Sequence, residues 1–380
     1  MAHRLRVGVL FGGRSTEHEI SLLSARNVID ALDPSRFEPA LIAIDKRGRW
    51  FDMTPKSLAA GDSCPALSAD CSPEHAVALR DGAQGSGVVF GASASSRPAV
   101  KVDVVFPVLH GTLGEDGTVQ GLLELLDLPY VGSGVLGSAV SMDKDVAKRL
   151  LRDSGIAVAP FVTVRRYEYD RDPAGAVARA AELGFPLFTK PANAGSSVGV
   201  RRVAALDQLP SALEYALRFD GKVIVEQAIK GREIECAVLG NDEPIASAPG
   251  EVVVRHPDGF YSYDAKYLDE NGAILKMPAE LSDSEQRNVQ SLAVCTFLAL
   301  ECSGMARVDF FLRPNGELIV NEVNTIPGFT AISMYPKLWE LSGIGRVELV
   351  SRLIDLAIER KRRHRSRVTD LFNHQELPEP

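Results

Sequence analysis

Ala306-Arg307-Val308-Asp309-Phe310-Phe311-Leu312 and Leu318-Ile319-Val320-Asn321-Glu322-Val323-Asn324 are two short apolar runs, each with a carboxylate where a buried strand should have none. Between them lies Pro314-Asn315-Gly316, and Asn-Gly is the strongest short hairpin signal a sequence offers. A two-residue loop at Asn315 and Gly316 sets a register that pairs Asp309 with Glu322 and Arg307 with Asn324. Side chains directly opposite on one sheet face stand roughly 4.5–5.5 Å apart at Cβ, and like charges there repel. Two carboxylates so placed among Val, Ile and Phe ask for a cation. Hard oxygen ligands with an amide beside them suit Mg²⁺ better than zinc. The competing reading is a pair of outward-facing acids on a solvated strand.

Upstream of the hairpin, strands alternate with helices. Val7–Phe11 reads as a buried strand ended by Gly12-Gly13. A helix follows from Ser15-Thr16-Glu17, with apolar residues at Ile20, Leu23, Val28 and Leu32. Further strands cover Ala40–Ile44 and Val102–Pro107, and a helix covers Val119–Leu126. This alternation predicts an α/β N-terminal domain with a doubly wound parallel sheet, residues 1–140. A helix over Lys144–Ser154 opens a second α+β unit, residues 141–230, with strands Phe161–Val164, Leu187–Lys190 and Val223–Gln227 and helix Ala174–Leu183. A third unit, residues 231–380, holds strand Ile234–Leu239, helix Ser282–Leu298 and the hairpin. Ser57–Pro98 is rich in Ala, Ser, Gly, Asp and Pro and carries no motif.

The composition is that of an ordinary globular protein: 380 residues, 45% hydrophobic and 24% charged. A net charge of -8 argues against nucleic acid as a partner, which would need a basic stripe. The one basic run, Arg360 to Arg367, reads as the solvated end of a terminal helix, where cations suit the dipole. Five scattered cysteines without Cys-x-x-Cys form neither a disulfide framework nor a zinc site. No apolar stretch resembles a signal peptide or a membrane span, so the expected location is the cytoplasm, with no membrane partner.

Lys190-Pro191-Ala192-Asn193-Ala194-Gly195-Ser196-Ser197-Val198-Gly199 is a small-residue loop whose N–H groups can close over phosphate oxygens, with Lys190 supplying a point charge. It is not a Walker A loop, because the lysine precedes the glycines. Gly195–Gly199 also matches Gly-x-Ser-x-Gly, but a returning strand, not a helix, follows it. Gly132-Ser133-Gly134-Val135-Leu136-Gly137 matches a dinucleotide fingerprint, with Asp153 near the ribose position. It comes late in its domain and reads as a glycine turn joining two domains. The loops Gly13–Ser21, with Glu17 and Glu19, and His110–Gly117 follow parallel strands, where α/β sheets bind ligands. An acid there either binds an ammonium group or compensates a helix dipole. Glu226 and Glu233 flank a strand junction. Tyr261–Tyr267 packs aromatics into a long loop that suits a lid, and Asn324–Thr330 offers N–H groups to a developing oxyanion.

In this order, His110–Gly117, Ser141-Met142-Asp143-Lys144, Lys190–Gly199, Ala265-Lys266-Tyr267, Arg307-Val308-Asp309 and Glu322–Tyr335 resemble the D-alanine–D-alanine ligases of the ATP-grasp superfamily. The resemblance implies a two-part ATP-grasp fold after the N-terminal domain, with ATP held between its antiparallel sheets. Lys144, Lys190 and Ser197 would contact phosphates and Lys266 would reach them from the lid. Glu226, Gln227 and Ile229 would surround adenine and Glu233 the ribose. Asp309, Glu322 and Asn324 would hold two Mg²⁺, with Mn²⁺ as a substitute. Glu19 would take the ammonium of the first D-alanine, supported by Ser196 and Tyr267 and flanked by His110. Arg307 and the Gly328 N–H would stabilise a tetrahedral oxyanion, while Ser333 and Met334 would meet the second D-alanine. The implied chemistry is attack of the first carboxylate on the γ-phosphate, then displacement of phosphate by the second amine, for peptidoglycan synthesis. A homodimer is also implied. Ala331 departs from the proline of many relatives, and Tyr267 favours D-alanine over D-lactate. The rivals are an ATP-grasp ligase with other substrates, a nucleotide-binding regulator without chemistry, and a dinucleotide oxidoreductase using the Gly132 turn.

Overall fold

The molecule is seen in a computed structural model that describes residues 4–53, 78–81, 88–91, 100–255 and 272–366. Strand β1 (Leu5–Gly12) is buried along six of its eight residues, as the middle of a parallel sheet must be. It runs parallel to β2 (Phe37–Ile44) on one side. β3 (Trp50–Met53) closes the β2 edge antiparallel. Of the expected excursion at Ser57–Pro98, β4 (Ala78–Asp81) and β5 (Val88–Gly91) are described. They form a meander with β6 (Val100–Val102), so this segment holds two strands that its composition did not announce. β7 (Val104–Val108) pairs with the other side of β1. β6 and β7 were expected as one strand; Asp103 separates them, its carboxylate accepting from the Arg6 N–H at 2.8 Å.

Two antiparallel sheets follow, as the expected fold requires. The first, in order β10-β9-β11-β8, contains β8 (Phe161–Arg165), β9 (Leu187–Pro191), β10 (Arg201–Val203) and β11 (Lys222–Gln227). Ala176, Ala180 and Leu213 from its two covering helices fill one face. The second sheet holds β12 (Arg232–Gly240), β13 (Ile245–Ala246), β14 (Gly250–Val254), β15 (Ala273–Lys276), β16 (Gly304–Leu312) and β17 (Leu318–Asn324). Its order is β15-β14-β12-β16-β17, with β13 beside β12. Helix Asp283–Ala299 begins in a capping box of Ser282 and Glu285. It buries Val289, Ala293 and Phe297 in one cluster with β12 and β16 residues.

The hairpin register agrees with expectation at the charged rows, Arg307 opposite Asn324 and Asp309 opposite Glu322. The loop does not. A two-residue Asn315-Gly316 loop would need an N–H from Pro314, which has none. The last pair is instead Arg313 and Glu317, with the Arg313 N–H donating to the Glu317 carbonyl at 2.9 Å. Pro314, Asn315 and Gly316 form a three-residue loop, with Gly316 at φ 84°. That loop alone would place Asp309 opposite residue 321. A β-bulge at Asn321 absorbs the extra residue and restores the charged pairing.

The basic run is only partly solvated. Helix Arg346–Arg365 buries Leu349, Leu353 and Ile354 in the cluster that holds Val7 and Phe11 of β1. Arg360 donates to the Ser303 hydroxyl at 2.8 Å and the Tyr130 carbonyl at 2.9 Å. Lys361 pairs with Asp127 at 2.9 Å. The run therefore ties the end of this helix to Asp127 and Tyr130 and to Ser303 just before β16.

Gly137 lies inside an unexpected helix, Val135–Met142, and not in a turn. A Cβ there would stand 2.2 Å from the Glu301 carbonyl oxygen. Close helix packing thus explains this glycine without a nucleotide. Gly137→Ala should destabilise the fold by about 1–3 kcal/mol, as overpacking does. Urea unfolding checks this, and an unchanged midpoint would contradict it.

Candidate active site

Between the two antiparallel sheets lies a cleft of about 330 Å³. Lys190 enters it from β9, opposite Ile224 of β11. Its Nζ is 2.7 Å from Glu226 Oε2, while Lys148 Nζ is 3.0 Å from Glu226 Oε1. Burial opposes ionisation of Glu226, but the two ammonium groups prevail and hold its carboxyl at about 2. Burial likewise works against the Lys190 ammonium, and Glu226 more than offsets it, so that pKa rises. Glu226 borders the cleft, and its carboxylate pairs with both lysines. Gln227, Ile229 and Glu233 line the same cleft.

Lys144 starts the helix Lys144–Asp153, capped by the Asp143 carboxylate. Its Nζ donates to the Ala194 carbonyl at 2.7 Å and lies 3.9 Å from Glu322. The helix thus aims Lys144 at the glycine loop and at the hairpin together. In that loop Ser196 and Ser197 sit at φ 50° and 57°, left-handed conformations that cost L-residues about 1–2 kcal/mol each. Strand β10 follows, not the helix a serine-hydrolase elbow needs.

Across β12, β16 and β17 a row of carboxylates forms, Glu235 opposite Asp309 and Asp309 opposite Glu322. Arg307 forks Asp309 through Nε and a terminal nitrogen, both at 2.7 Å, and its Nε is 2.9 Å from Glu235. Burial penalises the guanidinium, yet Asp309 and Glu235 raise its pKa well above the usual value. Asn324 Nδ2 donates to Asp309 at 3.0 Å. Among the described residues no group of three or more His, Cys, Asp or Glu side chains stands ready around a cation. Asp309 is held instead by Arg307 and Asn324. As donors, Asp309, Glu322 and Asn324 are hard oxygens on adjacent strands, which fits a divalent cation. Glu235 was not anticipated, although an acid within the buried run Ile234–Leu239 is the same signal that Asp309 gives.

A second cleft, of about 420 Å³, opens at the carboxyl end of the parallel sheet and includes Ser196, Gly328, Ser333 and Met334. The acid facing it is Glu17, which corrects the expected Glu19. Glu19 pairs with Lys46 and its side chain is 63% exposed. The reason is where the helix starts: Glu17 is its cap residue, still in the loop, while Glu19 lies about 200° further round the first turn. The Ser196 hydroxyl donates to Glu17, and a Cβ on Gly195 would meet Glu17 Oε2 at 2.8 Å.

His110 is buried in the wall of the cleft, its Nδ1 3.0 Å from the Ile326 carbonyl and its Nε2 3.2 Å from Ser24 Oγ. Burial lowers its pKa, against the pull of the Glu17 charge. Glu115 accepts from the Gly111 and Ile326 N–H groups at 2.6 and 3.1 Å. Burial and the Glu17 charge push its carboxyl up to about 8. Ser333 Oγ accepts from the Thr330 N–H at 3.0 Å and fixes the Gly328 loop. Lys266, Tyr267 and the expected lid Tyr261–Tyr267 lie outside the described residues.

Both clefts border on the same three side chains, Glu235, Arg307 and Glu322. Residues 6–133 match the family model for the D-ala D-ala ligase N-terminus, and residues 150–355 match that for its C-terminus. The chain belongs to the D-alanine–D-alanine ligase family. It is therefore an enzyme, an ATP-dependent ligase that uses a divalent metal. A D-alanine–D-alanine ligase A of Chromobacterium violaceum is 51% identical over 366 residues, covering 94% of this chain and 96% of the relative. The solved D-alanine–D-alanine ligase from Coxiella burnetii superposes with a TM-score of 0.83 at 40% identity, covering 96% of this chain and 97% of that one. The VanG D-Ala:D-Ser ligase from Enterococcus faecalis gives 0.79 at 36%, over 93% of this chain and 100% of its own. The ligase family thus includes a member named for a different acceptor, so the fold alone does not choose it. No helix among the described residues is long and apolar enough to cross a membrane.

Proposed function

We propose that this chain joins two D-alanine molecules through an acyl phosphate, giving D-alanyl-D-alanine, ADP and phosphate for peptidoglycan synthesis in the cytoplasm. The observation that carries it is the shared wall of Glu235, Arg307 and Glu322. A carboxylate held in the second cleft can meet a terminal phosphate held in the first only there. Lys144, Lys190 and the backbone of Ser196 and Ser197 position the phosphates, and Gln227, Ile229 and Glu233 hold the nucleoside. Asp309, Glu322 and Asn324 would hold two Mg²⁺, or Mn²⁺, which supply charge neutralisation during phosphoryl transfer. Glu17, with Ser196, takes the ammonium of the first D-alanine and turns its carboxylate toward the wall. Arg307 and the Gly328 N–H then face the oxyanion as the second amine attacks. Ser333 takes the second carboxylate, with Met334 beside it. Lys266 is assigned to the phosphates and Tyr267 to the first D-alanine on the family resemblance alone. A homodimer completes the reading.

The test is phosphate release from ATP with D-alanine, L-alanine, D-serine or D-lactate as the only added substrate. D-alanine should stimulate it and L-alanine should not; stimulation by L-alanine alone would sink the assignment. Glu17 separates this reading from a capping role. Glu17→Gln should raise the KM for the first D-alanine roughly 10–100-fold, the worth of a charge-assisted hydrogen bond. Glu19→Gln should leave that KM unchanged. Initial-rate kinetics on both variants decide, and equal effects would refute the placement of Glu17.

A further inference from the structure

Lys148 is 2% exposed, and lysines are almost never buried so deeply unless paired. It lies one turn beyond Lys144 on the helix Lys144–Asp153, underneath the nucleotide cleft. Its Nζ is 3.0 Å from Glu226 Oε1 and donates to the Asn321 main-chain carbonyl at 3.1 Å. Lys190 Nζ is 2.7 Å from Glu226 Oε2 and donates to Asn321 Oδ1 at 3.3 Å. Lys148, Glu226, Lys190 and Asn321 therefore close a ring that joins a helix, β11, β9 and β17 across the base of the cleft. The hairpin bulge is the ring's fourth member, gripped through both its carbonyl and its amide.

We propose that Lys148 is a positioning residue for the nucleotide phosphates: by taking one oxygen of Glu226 it leaves Lys190 a charge to offer. The count is simple. With both lysines protonated the ring carries one net positive charge, and without Lys148 the Lys190–Glu226 pair is neutral; burial draws the Lys148 pKa down, and Glu226 beside it opposes that loss. In a site of low effective dielectric, that difference acts strongly on an anion a few ångströms away. Lys148 also holds the bulge carbonyl, so it fixes the amide that orients Lys190. The inference rests on the proposed phosphate role of Lys190.

The experiment measures binding of ADP and of adenosine to the full-length chain by calorimetry at fixed Mg²⁺. Lys148→Met, which conserves volume, should weaken ADP on the order of tenfold and leave adenosine unchanged. Lys148→Gln should do the same if the methionine variant folds poorly, and Lys148→Arg should keep most of the affinity. The double variant Lys148→Met with Glu226→Gln restores the positive charge and should recover ADP binding. A merely structural role would not show that rescue. Unchanged ADP affinity in Lys148→Met, equal loss of ADP and adenosine, or no recovery in the double variant would each overturn the proposal. Lys190→Met separates the two levels. If it leaves ADP binding unaltered, the phosphate role of Lys190 falls, and the proposal for Lys148 falls with it.

Discussion

Glu322→Gln is expected to cut turnover at least a hundredfold while leaving the fold as stable as before or more so. The two signs come from one cause. Glu322 stands opposite Asp309, which stands opposite Glu235, so the row concentrates negative charge on one sheet face. Removing one charge at constant shape relieves repulsion between neighbours on adjacent strands. The same substitution takes an anionic oxygen away from the proposed metal and from Lys144, 3.9 Å distant. Loss of one preorganised electrostatic partner in a closed site costs roughly 10²–10³ in rate. Phosphate release at saturating ATP and metal, read beside a thermal melt, distinguishes this from misfolding. Near-normal turnover would refute the metal role of Glu322. A lowered melting temperature would mean that its charge stabilises the fold.

Arg307→Met should do the opposite to stability and as much harm to rate. The guanidinium neutralises Asp309 through a two-bond fork and touches Glu235 at 2.9 Å. Its removal takes a positive charge away from two buried acids, a loss of about 3–5 kcal/mol when one member of such a group is deleted. The acyl-transfer step should also slow roughly 10²–10³-fold through loss of an oxyanion partner. Added Mg²⁺ should raise the melting point of the variant more than that of the parent, because a cation can take the place of the lost charge. Arg307→Lys should lie between the two, since lysine keeps the charge and loses the fork. Urea unfolding with and without Mg²⁺, and dipeptide formation in a single turnover, check both halves. An unchanged rate or an unchanged midpoint would contradict them.

The main buried strands and the long helices were legible because they rest on local periodicity, whereas β4, β5 and helix Val135–Met142 were not. The buried runs of β1, β9, β11 and β16 and the capping box at Ser282 report themselves within a few residues. What periodicity cannot reach is which of two nearby acids faces inward. Glu17 and Glu19 differ only in where the helix begins, and a single residue at that boundary decides the matter. Glu235 did carry a local signal, an acid inside the apolar run Ile234–Leu239, whereas Lys148 is buried by partners distant in sequence and does not look unusual beside its own neighbours. The basic run failed similarly, since the acid for Lys361 is Asp127. The hairpin register was right at the acids through two compensating departures, a longer loop and a bulge.

That compensation governs how the hairpin can change length. Side chains on a strand alternate between faces, so one residue added or lost turns everything beyond it to the other side. The loop at Pro314–Gly316 and the bulge at Asn321 are each an odd step, and only their sum is even. A relative with a two-residue loop should therefore lack the bulge. A lone insertion within Leu318–Val320 would send Glu322 to the side that Val323 now occupies, whereas loss of the bulge residue Asn321 would leave Asp309 still opposite Glu322. The bulge lets this hairpin lose a single residue and keep its charged pairing.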